Sequence, residues 1–161
     1  MPVRAAKIAM TLSLAAFALL VGITNITDYG ANHAFVQHVL SMDTTFPGDP
    51  ERWRAITAPR LWALGYGAII AGEILTGLLL LAGGLAMLAA IRAPGPDFAK
   101  AKALVALGAA LGFLVWFLGF MVVGGEWFEM WQSQTWNGQQ AAFRFYATIL
   151  LVLIFVNQPD A

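Results

Sequence analysis

The side chains able to do chemistry in this chain are few, and one of them sits where a charge is expensive. Glu73 is the only acid inside a long apolar run, residues 61–91. A carboxylate at such a place costs roughly 2.5–3.5 kcal/mol on insertion scales, so it must face a partner or water. Two roles are open to it: a proton or cation site, or a helix–helix ion pair or hydrogen bond. Arg144, just inside the start of the last apolar run, is the partner that depth suggests. Glu126 competes for the same guanidinium, because a planar bidentate donor can serve two carboxylates. Asn25 and Asp28 close the first apolar run at the same level. The expectation is a polar cluster of Glu73, Arg144, Glu126, Asp28 and Asn25, with Glu73 and Arg144 paired. The plain alternative is a set of side chains snorkelling separately to the membrane surface.

Nothing else in the chain resembles a reaction centre. His33 and His38 fall in one expected loop rather than facing each other from two spans, which argues for solvated rings and against haem or metal ligation. Ser13, Ser41 and Ser133 sit in no nucleophile motif, and there is no phosphate-binding loop, dinucleotide fingerprint or zinc signature. The absence of cysteine excludes disulfides, thiolate metal sites, iron–sulfur ligation and cysteine nucleophiles together. Nine basic and nine acidic residues form no block of either sign, so nucleic acid is not an expected partner. No catalytic residue, cofactor or metal is expected.

The elements that must position these residues follow from composition. Of 161 residues, 60% are hydrophobic and 11% charged, against roughly 25% charged in soluble domains. Mean hydropathy is +0.72. The apolar residues lie in long runs, and ~20 residues at ~1.5 Å each cross a ~30 Å hydrocarbon core. The reading is an all-α membrane protein of one domain, residues 1–161. Its four transmembrane helices lie at about 8–26, 65–91, 103–123 and 140–156, in an up-down-up-down bundle. Arg4 and Lys7 before an apolar run, with Ala16-Phe17-Ala18, also resemble a signal peptide and its cleavage site. The run continues about two turns further, which favours a retained anchor.

The connections carry their own signals. In the loop after the first span, Phe35, Val36, Val39, Leu40 and Met42 recur at helical spacing and predict a short helix along the surface. Asp49-Pro50-Glu51 predicts a second helix with Asp49 as N-cap, running to Ile56. Thr57 would cap the next span, with Pro59 in its first turn. That span exceeds the hydrocarbon thickness, and Gly83-Gly84 marks a weak point where it could bend. In the third span, Gly108-xxx-Gly112 is spaced for close helix packing. Trp127, Trp131 and Trp136, with Trp53 and Trp62, fit a belt of interfacial anchors. Arg4, Lys7, Arg92, Lys100 and Lys102 crowd short segments on one side, whereas Arg52, Arg54, Arg60 and Arg144 are spread over the other. The positive-inside bias then places both termini in the cytoplasm.

Asn25–Asp28, the F-V-x-H-V-L-S-M-D-T-T-F-P run at 35–47, Trp53-Arg54-Ala55-Ile56, Glu73 and the G-E-W-F-x-M-W-Q-S-x-x-W-N-G-Q motif at 125–139 together resemble a known group. It is a bacterial family of predicted small integral membrane proteins, the domain-of-unknown-function family numbered 2165. The resemblance covers nearly the whole chain and implies a four-span protein of the bacterial inner membrane. It implies no activity and no catalytic residue. The first functional expectation is therefore a non-enzymatic accessory subunit of a larger, energy-transducing membrane complex, with lipid and other membrane subunits as partners. A proton, cation or small-molecule transport component using Glu73 is the alternative, and a lipid-binding protein or membrane enzyme is the third.

Overall fold

A backbone in lipid must satisfy its own hydrogen bonds, as a helix or a closed barrel, and unbroken apolar runs of ~20 residues have the length of a spanning helix. The computed structural model describes residues 1–160, and among them there is no strand. Helix α1 spans Pro2–Thr27, α2 Tyr29–Ser41, α3 Pro59–Ala89, α4 Gly95–Lys100 and α5 Ala103–Phe113. Helix α5 runs on into a wider-wound π segment, Leu114–Trp127, and α6 spans Gln139–Asn157. Four stretches are long and apolar enough to cross a membrane: Pro2–Thr27, Pro59–Ala89, Gly95–Trp127 and Gln139–Asn157.

Helix α1 packs mainly along α3, α3 along α5, and the π segment along α6. Leu80, Met87, Val105, Trp116, Ile149 and Val156 are fully buried between them. Leu64, Leu78, Leu85, Leu107, Leu151 and Ile154 point outward and stay exposed. A helix apolar on all sides is what a lipid solvent permits, since its outer face has no water to avoid.

Several local expectations need correction. Asp49 does not start a helix: its carboxylate accepts the N–H of Glu51 at 2.9 Å, and only one tight turn, Arg52–Arg54, follows. The chain is drawn straight instead, because the Ile56 N–H donates to the Leu40 carbonyl at 2.7 Å and the Trp62 indole to the Ile56 carbonyl at 2.7 Å. Ala58, in extended conformation, is the N-cap of α3 in place of Thr57, and Pro59 opens the helix. Proline fits there because its missing N–H would have no partner in a first turn. The surface helix begins earlier than the hydrophobic spacing suggested, at Tyr29, and ends where Met42 turns left-handed.

Gly83 and Gly84 are not a weak point. A Cβ on Gly83 would lie 2.8 Å from the backbone nitrogen of Val105, and one on Gly84 would lie 2.6 Å from the Leu12 side chain. The pair lets α5 and α1 press against two neighbouring faces of an unbroken α3, about 100° apart. Gly108 and Gly112 do the converse from α5, where added carbons would meet Leu80 at 2.9 Å and Ile149 at 3.0 Å.

At one end the bundle is tied by charge. The Arg4 guanidinium donates to the carbonyls of Ile91 (3.0 Å) and Ala93 (2.6 Å) just past α3. The Lys7 ammonium, fully buried, donates to the Gln158 carbonyl at 2.6 Å and to Asp160 at 2.8 Å. Lys102, before α5, reaches the same carbonyl at 3.1 Å and the other oxygen of Asp160. Burial pushes the Asp160 carboxyl up, but the hydrogen bonds from Lys102 and Lys7 outweigh it and hold the group below the usual carboxylate range. The beginning of α1, the turn after α3, the approach to α5 and the chain past α6 thus meet at one point.

Candidate functional site

Near the other end of the bundle, Glu73 points inward from α3 and is 2% exposed. Tyr66 lies two turns earlier on the same face, also buried. Asn25, in the last turn of α1, donates its amide N–H to Glu73 Oε2 at 2.7 Å. Asn32, on α2, donates to Asn25 Oδ1 at 2.8 Å, and the Tyr66 hydroxyl donates to the Asn25 carbonyl at 2.9 Å. A polar chain therefore runs from exposed Asn32 through buried Asn25 to the buried carboxylate.

These groups form one wall of an open cavity of about 490 Å³ lined by α1, α2, α3, the π segment and α6. The remaining walls are apolar, partly aliphatic (Leu20, Val21, Val36, Ile69) and partly aromatic. Phe17, Phe35, Trp116, Phe120 and Phe145 all line it, with Phe17 4.8 Å from Phe145 and Trp116 5.6 Å from Phe145, ring centre to ring centre. Exposed Leu20 and Ala141 form part of its rim between α1 and α6. A second, apolar cavity of about 180 Å³ shares Phe35, Val36, Ile69 and Phe120 with the first. No Lys, Arg or His is among the described residues lining either.

The cluster expected from the sequence is brought together only in part. Asn25 and Glu73 meet, but Arg144 does not join them. It is exposed on α6 and lines a different groove with Met10, Ser13, Phe17 and Thr148. None of the ion pairs among the described residues includes it. The reason is angular. Ala142, Ile149, Val152 and Val156 form the buried face of α6, and two residues on from Ala142 is a turn of about 200°. Position along the sequence says nothing about direction around the helix. Glu126 and Asp28 are likewise exposed. Asn32, Tyr66 and Trp116 went unnoticed. Tyr66 was readable from its seven-residue spacing to Glu73, but nothing local marks Asn32 or Trp116.

The tryptophans divide. Trp53, Trp127 and Trp131 are exposed near this end, with Trp53 and Trp127 edge to face at 6.2 Å and the Arg54 guanidinium 4.7 Å above Trp127. Trp62 and Trp136 are half-buried. Trp136 stacks on His38 at 4.5 Å, whose Nδ1 meets Asp43 at 2.8 Å. His33 stacks on Tyr29 at 5.3 Å. Both histidines are thus packed against rings, and no group of three or more His, Cys, Asp or Glu among the described residues is arranged for a metal.

Residues 3–159 match the family described as "Predicted small integral membrane protein (DUF2165)". The chain belongs to that family. No curated protein and no solved structure matches it. A carboxylate, two amides and a phenol on one wall, facing five aromatic rings, can hold a molecule with an apolar body and one polar head. Among the described residues lining the cavity there is no Ser, Cys, Lys or His and no second carboxyl group.

Proposed function

We propose that this protein binds a small, membrane-soluble molecule in the cavity beside Glu73, as a carrier or sensor in the bacterial inner membrane. The observation that carries the reading is a cavity of about 490 Å³ with one buried carboxylate in its wall. That volume falls in the range of small-molecule sites, which are mostly apolar with a few convergent polar groups. Of the three functions open from the sequence, this is the small-molecule form of the transport reading. The accessory-subunit reading has less behind it. The exposed leucines are what lipid contact alone requires of a span, and they name no partner.

The four spans run up-down-up-down with both termini cytoplasmic, and the exposed Trp53, Trp127 and Trp131 lie at the periplasmic headgroup level. Support comes from Arg4, Lys7, Arg92, Lys100 and Lys102 in the short segments. A cysteine at Gly48 should label from the periplasm with an impermeant thiol reagent in intact inner membranes. Labelling only after permeabilisation would reverse the orientation.

The binding reading is tested by thermal unfolding of purified protein against a panel of neutral, anionic and cationic amphiphiles. A ligand specific to the folded state stabilises it by about 2.7 kcal/mol at a hundred times Kd. At least one class should raise the midpoint saturably, and Ala141→Trp, which fills the rim, should remove the effect. A panel without any saturable shift would defeat the proposal.

A further inference from the structure

We infer that the ligand is a lipophilic organic cation: an ammonium head on an aromatic or branched apolar body. This rests on the binding reading above and names its chemistry. The argument begins with what Glu73 lacks. It is 2% exposed, its hydrogen-bond partner is the neutral Asn25 amide, and no basic residue is among those lining the cavity. Arg144, the cation that would balance it on grounds of depth, faces another groove on α6. A buried carboxylate that keeps its charge is normally paired with a cation, and that partner is one the ligand can bring.

The walls point the same way. Five aromatic rings, those of Phe17, Phe35, Trp116, Phe120 and Phe145, line the same cavity as the carboxylate. Their negative faces attract a cation, with about 2 kcal/mol or more for a desolvated contact. A carboxylate among aromatic faces serves an ammonium on both counts. It serves an anion on neither. The polar chain from exposed Asn32 through Asn25 to Glu73 gives the charged head group a polar route inward. The rim at Leu20 and Ala141 admits the apolar body from the side of α1 and α6.

The deciding experiment compares isosteres. Tritiated 4-phenylbutyl-trimethylammonium is bound to the purified full-length protein. It is then competed with its neutral carbon isostere, in which the nitrogen is replaced by carbon, and with 4-phenylbutyl sulfonate. The cation should bind at least tenfold more tightly than the neutral isostere, and the sulfonate should not compete. Glu73→Gln should bring the ratio between cation and isostere to about one. Glu73→Asp, which keeps the charge, should retain a preference for the cation and serves if the Gln variant does not fold. Trp116→Leu should weaken the cation more than the isostere. Equal affinity for the two, or a preference that survives Glu73→Gln, would overturn the inference while leaving a neutral-ligand cavity standing. Failure of all three probes, with no shift from the amphiphile panel, would remove the binding reading itself and this inference with it.

Discussion

Replacing Gly83 by alanine isolates how much of the bundle depends on α3 and α5 touching backbone to backbone. In a helix interior, alanine is favoured over glycine by about 0.8–1.0 kcal/mol. At Gly67 that gain should appear undiminished, because nothing lies within 4 Å of the new Cβ. At Gly83 the same carbon would sit 2.7 Å from Val105 Cγ2, 2.8 Å from the Val105 nitrogen and 3.2 Å from the Leu104 carbonyl carbon. Two of these three atoms are backbone, so a rotamer change cannot relieve the crowding and α5 must move. Overpacking of this kind costs about 1–3 kcal/mol. The net expectation is a change of about zero to 2 kcal/mol in the destabilising direction for Gly83→Ala. For Gly67→Ala a gain of up to about 1 kcal/mol is expected. The separation between the two variants, about 1–3 kcal/mol, is the quantity to measure, by reversible thermal or denaturant unfolding in one detergent. If Gly83→Ala proves as stable as Gly67→Ala, the close approach of α3 and α5 is wrong.

Other tests address the charged and polar contacts. Asn25→Ala should cost about 1–3 kcal/mol by stripping the donor from a buried carboxylate, and combined with Glu73→Leu the loss should be less than the sum. Glu73→Gln and Arg144→Gln should instead be additive in the same unfolding assay, because the two residues share no partner; a coupling beyond about 0.5 kcal/mol would restore the pair. Asp160 has a depressed folded-state pKa. Its contribution should therefore be complete above the unfolded value of about 4 and fall away as pH drops through the folded value. Asp160→Asn should lower the midpoint at pH 7 and flatten its decline towards pH 3; a parallel decline would remove the tail clasp. Asp49→Ala should speed proteolysis between residues 46 and 60 by freeing the Glu51 N–H, and unchanged protection would mean the loop is held elsewhere.

The lipid-facing character and the helices were legible because each depends on local information. Run length decides whether a segment can span, and the family resemblance covered most of the chain. What failed had a common cause. The azimuth of Arg144 around α6 depends on which face the neighbours bury, and four uniformly apolar spans carry almost no amphipathic signal to fix that. The same deficit hid Trp116, one aromatic among many apolar residues until the π segment turns it inward. Gly83-Gly84 was misread for a related reason. Two adjacent glycines are a hinge in an isolated helix and a seam in a packed one, and only the neighbours decide. Asp160 escaped because a short polar tail has no pattern of its own, although it receives two lysines from distant points in the chain.

The widened winding after Phe113 has a consequence for register. Gly112, Trp116, Phe120 and Gly124 recur every four residues and all face inward: the first against Ile149, the next two into the larger cavity, the last into the smaller. In α-winding, four residues overshoot a full turn by about 40°, so such a series would drift steadily off the bundle. Winding closed by bonds five residues apart, as between the Phe128 N–H and the Val123 carbonyl, rotates the series back the other way. The segment thus behaves like a vernier between helix and pocket. Deleting one residue within Leu114–Trp127 would return a turn to ordinary pitch and swing every later side chain around the axis. An alanine scan across the same segment would never reveal that dependence.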